Sequence, residues 1–384
     1  GTFGAVCKAV DQTTKTAVAV KKIFNPFQPA NHLKELVREI KIVRHFKHDG
    51  IVALRDVFLT PQLDMYLVME FVPRDLHWVI SSRQQLSNNH ILYIIYQLFV
   101  ALGHLHAALV CHRDLKPSNI LINEGCEIKL CDFGAARPLA PGYGSRGEDS
   151  EEEGLSSPQR AATARQSQEV SRDEEEDNAS STMSHYITTR WYRAPEMLFC
   201  QRTYTSTVDC WAAGCILVEL ITRQPLFKGT SATDQVLKVL ATLGALDEAQ
   251  LRYLDSDSAR RYVMKKQDPS WERRSWADML VSYHGDPENH LSPELYDLLD
   301  RVLCFNDCKT TRASAKQAAA MAVFKPLHDL GVDDGVDPHA FVVDWDEKSM
   351  QSIMAQLRAE VSIGDVQTPV TPKSPGSWDT SRAH

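Results

Sequence analysis

The sequence predicts an α+β protein of two lobes, a small β-rich one over residues 1–72 and a larger, mainly α-helical one over 73–326. Three observations carry that expectation. A chain of 384 residues is long enough to bury a large core and to divide it. The first 72 residues hold short apolar runs rich in valine, isoleucine and phenylalanine, the pattern of strands. Beyond them the apolar residues take helical spacing, most clearly over 88–108.

In the first lobe, Gly1-Thr-Phe-Gly4-Ala-Val6 opens a glycine turn that leads into a strand, Val6–Val10. Glycines let a backbone come close to phosphates and offer N–H groups to them. A lone pair of glycines is more often a plain turn. Ala17–Lys21 is a second apolar strand ending in lysine, and Lys22 is its competitor, which strand alternation sends to the other face. Leu33, Leu36, Val37, Ile40 and Val43 form a helical stripe over 33–46, with Glu39 beside it. Val52–Phe58 and Met65–Phe71 complete the strands. The most apolar run, Ile91–Val110, is interrupted by Gln97, Gly103, His104 and His106, and reads as a buried helix rather than a membrane span.

That helix leads into His112-Arg113-Asp114-Leu115-Lys116-Pro117-Ser118-Asn119, followed by Asp132-Phe133-Gly134. Short strands at 121–122 and 127–131 carry Asn119 and Asp132. One loop thus holds a carboxylate, an ammonium and an amide, and the next a second carboxylate. Phosphoryl transfer uses such a set. Asp114 can orient or accept the proton of an attacking hydroxyl, Lys116 can neutralise charge on the moving group, and Asn119 and Asp132 offer oxygen ligands that suit Mg²⁺.

These residues resemble the protein-kinase signature H-R-D-L-x-x-x-N followed by D-F-G. The resemblance extends to Trp191-Tyr-Arg193-Ala-Pro195-Glu196, to Val208-Asp209-Cys-Trp211, and to Arg312 in Thr-Thr-Arg-Ala-Ser-Ala. It implies a two-lobed protein kinase fold that takes ATP with Mg²⁺. Gly1, Gly4 and Val6 would then belong to the glycine-rich loop. Lys21 would pair the α/β-phosphates, held by Glu39, and Lys22 becomes the outsider. Met69 would be the gatekeeper, and Glu70 to Val72 the hinge on adenine. Asp209 would brace the catalytic loop's backbone, and Arg312 would pair with Glu196. The first residue falls inside a motif, so the chain reads as truncated at its start.

Within the kinases the chain resembles the mitogen-activated protein kinase (MAP kinase) family. Cys111–Cys126 and Lys129–Arg137 are similar to its catalytic segments, and Ser184-His185-Tyr186 stands where it places T-x-Y in the activation lip. The serine departs from that pattern yet keeps a hydroxyl for phosphorylation, which puts the usual activator in question. A phosphate brings roughly −1.5 to −2 charges and needs arginines to receive it. The resemblance places Arg38, Arg113 and Arg137 near the first phosphate, and Arg190 and Arg193 near the phosphotyrosine. It implies proline-directed transfer to Ser/Thr-Pro sites, an upstream dual-specificity MAP kinase kinase, and phosphatases and docking-motif peptides as partners. Asp333 and Asp334 would receive basic docking peptides, with Cys126 lining the adjacent groove. Residues 327–361 would form a docking and wrapping extension. Other T-x-Y kinases, of the cyclin-dependent-like or male-germ-cell-associated type, are the nearest alternative; a pseudokinase scaffold is the other.

Residues 140–182 interrupt the activation segment with acidic blocks, Glu148–Glu153 and Asp173–Asp177, and few large apolar residues, a composition expected to be disordered. A passive insertion is the plainer expectation. The sharper one is competition of its carboxylates for the lip's arginines. Residues 362–384 form a Pro/Ser-rich tail, also expected to be disordered, with three Ser/Thr-Pro sites. The net charge of −8 disfavours a nucleic-acid or membrane-surface role. Nine scattered cysteines without a C-x-x-C pair fit a reducing cytoplasm or nucleus.

Overall fold

Valines alternating with alanines through Ala17-Val18-Ala19-Val20 make the strand on which the first sheet is built. The computed structural model describes residues 4–24, 30–60, 64–82, 84–139, 190–199, 205–254, 256–280, 291–305 and 311–330. Gly1, the insertion, Ser184, Tyr186, Asp333, Asp334 and the tail lie outside them. The described residues fall into two compact units, one within Gly1–Val37 and Leu54–Phe71, the other within Arg38–Ala53 and Val72–Trp345.

In the first unit, β1 (Gly4–Val10), β2 (Ala17–Ile23), β3 (Leu54–Leu59) and β4 (Met65–Glu70) form an antiparallel sheet in the order β1-β2-β4-β3. Val18, Ile23, Val57, Met65 and Leu67 are its buried members. β3 starts at Leu54 rather than at Val52 as the apolar run suggests. The reason is local: Ile51 bridges to Leu130, and the Val52 N–H donates to the Leu130 carbonyl. Those groups are spent in the second unit.

Helix α1 (Ala30–His45) follows β2 and buries the predicted stripe together with Ile42, while Arg44 and His45 in its last turn suit the negative end of the helix dipole. Beyond β4, β5 (Arg74–Asp75) runs into α2 (Leu76–Ser81), whose first turn is capped by the Asp75 carboxylate accepting from the Trp78 N–H. The Ser87 hydroxyl and the His90 ring cap α3 (Asn88–Ala107) reciprocally. By length and composition α3 is the one described helix that could cross a membrane, yet eleven of its residues are buried inside the protein.

β6 (Val110–Cys111), β7 (Ile120–Ile122), β8 (Ile128–Leu130) and β9 (Arg137–Pro138) follow; β5, β7 and β8 make a small sheet and β6 pairs with β9. The remaining α-helices among the described residues are α4 (Pro195–Leu198), α5 (Thr207–Thr222), α6 (Ala232–Leu243), α7 (Glu248–Tyr253), α8 (Asp257–Lys266), α9 (Trp276–Leu280), α10 (Pro293–Val302) and α11 (Ala315–Ala319). α5 is the axis of the unit: every residue except Ile221 is buried, as expected of a helix apolar on all sides. Gly214 permits this, because a Cβ there would sit 2.8 Å from Val302 and Leu303 side-chain atoms. Trp211 stacks on Phe227 with ring centroids 5.6 Å apart, and the Arg312 guanidinium lies 5.0 Å over the Trp211 ring.

Candidate active site

The loop after β6 is fixed by a buried carboxylate. Asp209, in the first turn of α5, accepts from the backbone N–H of His112 on Oδ2 (2.8 Å) and of Arg113 on Oδ1 (2.9 Å). The His106 Nε2–H at 2.8 Å and the Cys111 thiol at 3.3 Å also donate to Oδ2. Burial alone would raise the Asp209 carboxyl; the hydrogen bond and charge of His106, with the other donors, outweigh it and hold the group below its ordinary value. Burial with the nearby Asp209 charge drives the Cys111 thiol well up, so it stays a protonated donor. With Arg113 in the left-handed region (φ 69°), the chain turns sharply into Asp114.

Asp114, Lys116 and Asn119 converge. The Lys116 ammonium donates to Asp114 Oδ2 at 2.8 Å, and the Asn119 amide donates to the Asp114 carbonyl (2.8 Å) and to Oδ2 (3.2 Å). Lys116 is nearly buried at 8% side-chain exposure whereas Asp114 keeps 18%, so the carboxylate remains reachable. The His112 ring joins this loop to the next: Nε2 donates to the Cys131 carbonyl at 3.1 Å, and the ring lies 5.0 Å from the buried Phe133. The Cys131 N–H donates to the Asn119 carbonyl, which sets Asp132 one residue beyond Asn119's own strand register; Asp132 too is left-handed (φ 63°).

No cluster of three His, Cys, Asp or Glu side chains among the described residues forms a metal cage. Mg²⁺ needs none, since it is commonly held by one or two side-chain oxygens together with substrate phosphates and water. The donor set fits: the Asn119 NH₂ is spent on Asp114, which leaves its oxygen for an ion, and Asp132 supplies a carboxylate.

The other predicted residues take these places. Lys21 lies on β2 between Val6 of β1 and Leu67 of β4, and Gly4 pairs with Ile23. Lys22 is engaged elsewhere, 2.6 Å from the Asp64 carboxylate and over the Tyr66 ring. Met69 pairs with Ala19 and Leu54, and Glu70 ends β4; Val72 is half-buried two residues on. Glu39 is buried on α1. Arg38, also buried, donates to the Gly134 carbonyl at 2.9 Å, and Arg137 donates to that of Ala136, so both guanidiniums hold backbone next to Asp-Phe-Gly. Arg190 and Arg193 bound a 3₁₀ turn over Arg190–Tyr192, and Arg193 shares a shallow recess with Arg113, Asp114 and Met197. Cys126 stands apart from this group, left-handed (φ 60°) at the far end of the β7–β8 hairpin.

Three polar anchors were not anticipated. Buried Gln97 donates to the Cys126 carbonyl (2.8 Å) and accepts from the Ile128 N–H (3.2 Å), pinning the hairpin that carries Asn119 and Asp132. The Tyr192 hydroxyl donates to the buried Glu219 carboxylate at 2.6 Å. Gln235, fully buried, reaches the Trp191 carbonyl. Arg312 and Glu196 do form the expected pair, at 2.6 and 3.0 Å, with further guanidinium bonds to the Cys304 and Thr207 carbonyls. Burial works against the Arg312 charge, and Glu196 more than restores it.

Comparison with known proteins agrees with this geometry. The protein kinase domain family matches residues 1–152 and 167–324. Mitogen-activated protein kinase 5 of Oryza sativa is 33% identical over 362 residues, 93% of this chain and 84% of its own length. Mitogen-activated protein kinase 3 of Arabidopsis thaliana is 35% identical over 91% of this chain and 82% of its own. The chain belongs to the mitogen-activated protein kinase family. The Medicago sativa homologue MMK2 is 34% identical over 90% of this chain. This MAP kinase is therefore a Ser/Thr protein kinase with the two-lobed kinase fold, acting on protein substrates within a kinase cascade, and ATP is the family's phosphoryl donor.

Proposed function

We propose that this MAP kinase transfers the γ-phosphoryl group of Mg-ATP to Ser or Thr hydroxyls followed by proline, with Asp114 receiving or orienting the hydroxyl proton. The observation that carries the reading is the Asp114–Lys116–Asn119 cluster on a loop braced by Asp209. Both side-chain bonds to Asp114 fall on Oδ2, so Oδ1 is the oxygen offered to a substrate hydroxyl. Lys116 can follow negative charge that builds on the transferred group. Asn119 and Asp132 would hold Mg²⁺, which when bound neutralises phosphate charge. Lys21, with Glu39, would hold the α/β-phosphates; Gly1, Gly4 and Val6 would cover them; Met69, Glu70 and Val72 would border adenine.

Phosphorylation of Ser184 and Tyr186 by an upstream dual-specificity kinase would switch the enzyme on, with Arg38, Arg113, Arg137, Arg190 and Arg193 receiving the phosphates. Asp333, Asp334 and Cys126 would receive docking peptides of activators, substrates and phosphatases, and the enzyme would work in cytoplasm and nucleus. The test compares a Ser-Pro peptide with its Ser-Ala twin before and after treatment with such an activator, in the parent, Ser184→Ala and Tyr186→Phe. Preference for Ser-Pro that rises on activation and falls in both variants is expected. Activity indifferent to Ser184 would contradict the serine switch, and equal use of both peptides would contradict proline direction.

A further inference from the structure

Trp191, Gly229 and Gln235 close a ring of three hydrogen bonds. The Trp191 indole Nε1–H donates to the Gly229 carbonyl at 3.0 Å, the Gly229 N–H donates to Gln235 Oε1 at 2.9 Å, and Gln235 Nε2 donates back to the Trp191 carbonyl at 3.2 Å. Gln235 is completely buried, and each end of its amide is spent in the ring. A buried amide is costly unless its partners are in place, so this side chain is tolerated because both ends of its amide are satisfied, one by the buried Gly229 N–H and the other by the Trp191 carbonyl.

Every member of the ring is itself held. A Cβ on Gly229 would fall 2.4 Å from Gln235 Oε1 and 2.7 Å from the Gln235 backbone, so only glycine fits. Gln235 lies in the first turn of α6, where the Ser231 hydroxyl accepts from the Asp234 N–H and the Asp234 carboxylate accepts from both the N–H and the hydroxyl of Thr230. The Lys228 ammonium sits 5.4 Å over the Trp191 ring. One residue further, Tyr192 is fastened to α5 through Glu219, and Arg193 then borders the recess beside Asp114. Two helices thus grip consecutive residues of the segment that ends next to the reactive carboxylate, and none of these contacts involves a lip hydroxyl.

We infer that Gln235 is a positioning residue for the protein acceptor: by clamping Trp191 it sets where Tyr192 and Arg193 meet a substrate chain beside Asp114. It touches neither nucleotide nor the reacting atoms. The inference rests on the acceptor-kinase reading above, and the test separates the two.

The full chain would be compared with Gln235→Leu, which keeps size and removes both amide bonds, and with Trp191→Phe, which keeps a ring but loses the indole donor. Gln235→Leu raises KM for a Ser-Pro peptide on the order of 10-fold, the worth of one or two neutral hydrogen bonds, while KM for ATP stays within about 2-fold. Trp191→Phe moves the same way by about 3-fold, and the double variant is less than the product of the two, as for partners in one ring. Amide exchange over 190–193 quickens in Gln235→Leu while that of α5 is unchanged. Peptide and ATP KM rising together, or peptide KM unmoved in both variants, would overturn the inference. A parent that transfers nothing to peptide would instead sink the acceptor-kinase reading, and unchanged exchange over 190–193 would then still decide against the clamp.

Discussion

Helix α5 buries two carboxylates, and they behave oppositely. Asp209 near its start gathers donors from His106, Cys111, His112 and Arg113 and is held below the ordinary carboxylate range. Glu219 near its end receives one bond from Tyr192; burial wins there, and its pKa is pushed up to about 6. Both side chains are almost wholly out of water. The number of donors aimed at a buried carboxylate therefore decides whether its charge is built in or merely tolerated. Asp209 is a fixed anion that ties down the catalytic loop. Glu219 is a fastening for Tyr192 whose charge works against the fold.

The sharpest break of that contrast is Asp209→Asn, which removes the anion and turns an NH₂ toward donors. It is expected to cost about 3–5 kcal/mol, as when one partner of a buried charge network is lost, with kcat falling more than KM for ATP. Chemical denaturation and steady-state kinetics measure both.

Glu219→Gln probes the other carboxylate. A folded pKa raised from 4.5 to about 6 means that Glu219 contributes stability when protonated, fully present below pH 4.5 and lost as pH rises through 6. Relative to the parent, the Gln variant should therefore gain about 2 kcal/mol between pH 4.5 and pH 7.5. A difference that is flat over that range would show that the Glu219 pKa is not raised and would remove the contrast. Asp209 has the reverse sign: its stabilisation is present above the unfolded pKa and is lost as acid takes it through the lower folded value.

The smallest effect belongs to Cys111→Ala, which removes one weak donor of several to Asp209. It should cost about 1 kcal/mol or less and leave kcat within 2-fold. A larger loss would mean that the thiol, rather than the two backbone N–H groups, carries the brace.

Much of this architecture was legible in the residues. The stripe of Leu33, Leu36, Val37, Ile40 and Val43 gave α1 because helical spacing is a local property, and all five are buried. Asp209 and Arg312 were legible because the family resemblance supplied partners distant in sequence, and the bonds to His112, Arg113 and Glu196 are present. What escaped was polar residues in apolar runs. Gln97 and His106 read as interruptions of α3, yet one pins the β7–β8 hairpin and the other donates to Asp209. Their partners lie far along the chain, and no local pattern points to them. Gln235 and Glu219 were hidden for the same reason: Glu219 lies inside a helix that otherwise reads as core, and Gln235 on the buried side of an amphipathic one. The start of β3 was misplaced because side-chain pattern does not show where a backbone N–H is spent, and that of Val52 goes to Leu130.

In the proposed function Asp114, fixed through Asp209, does the chemistry while nucleotide is held by other residues. Single-turnover transfer from Mg-ATP to a Ser-Pro peptide by the parent and by Asp114→Asn, with ATP affinity measured on the same samples, tests it most directly. The expected result for Asp114→Asn is a rate lower by a factor on the order of 10²–10⁴ with ATP affinity within about 2-fold. Transfer at the parental rate, or loss of ATP binding in step with the rate, would contradict it.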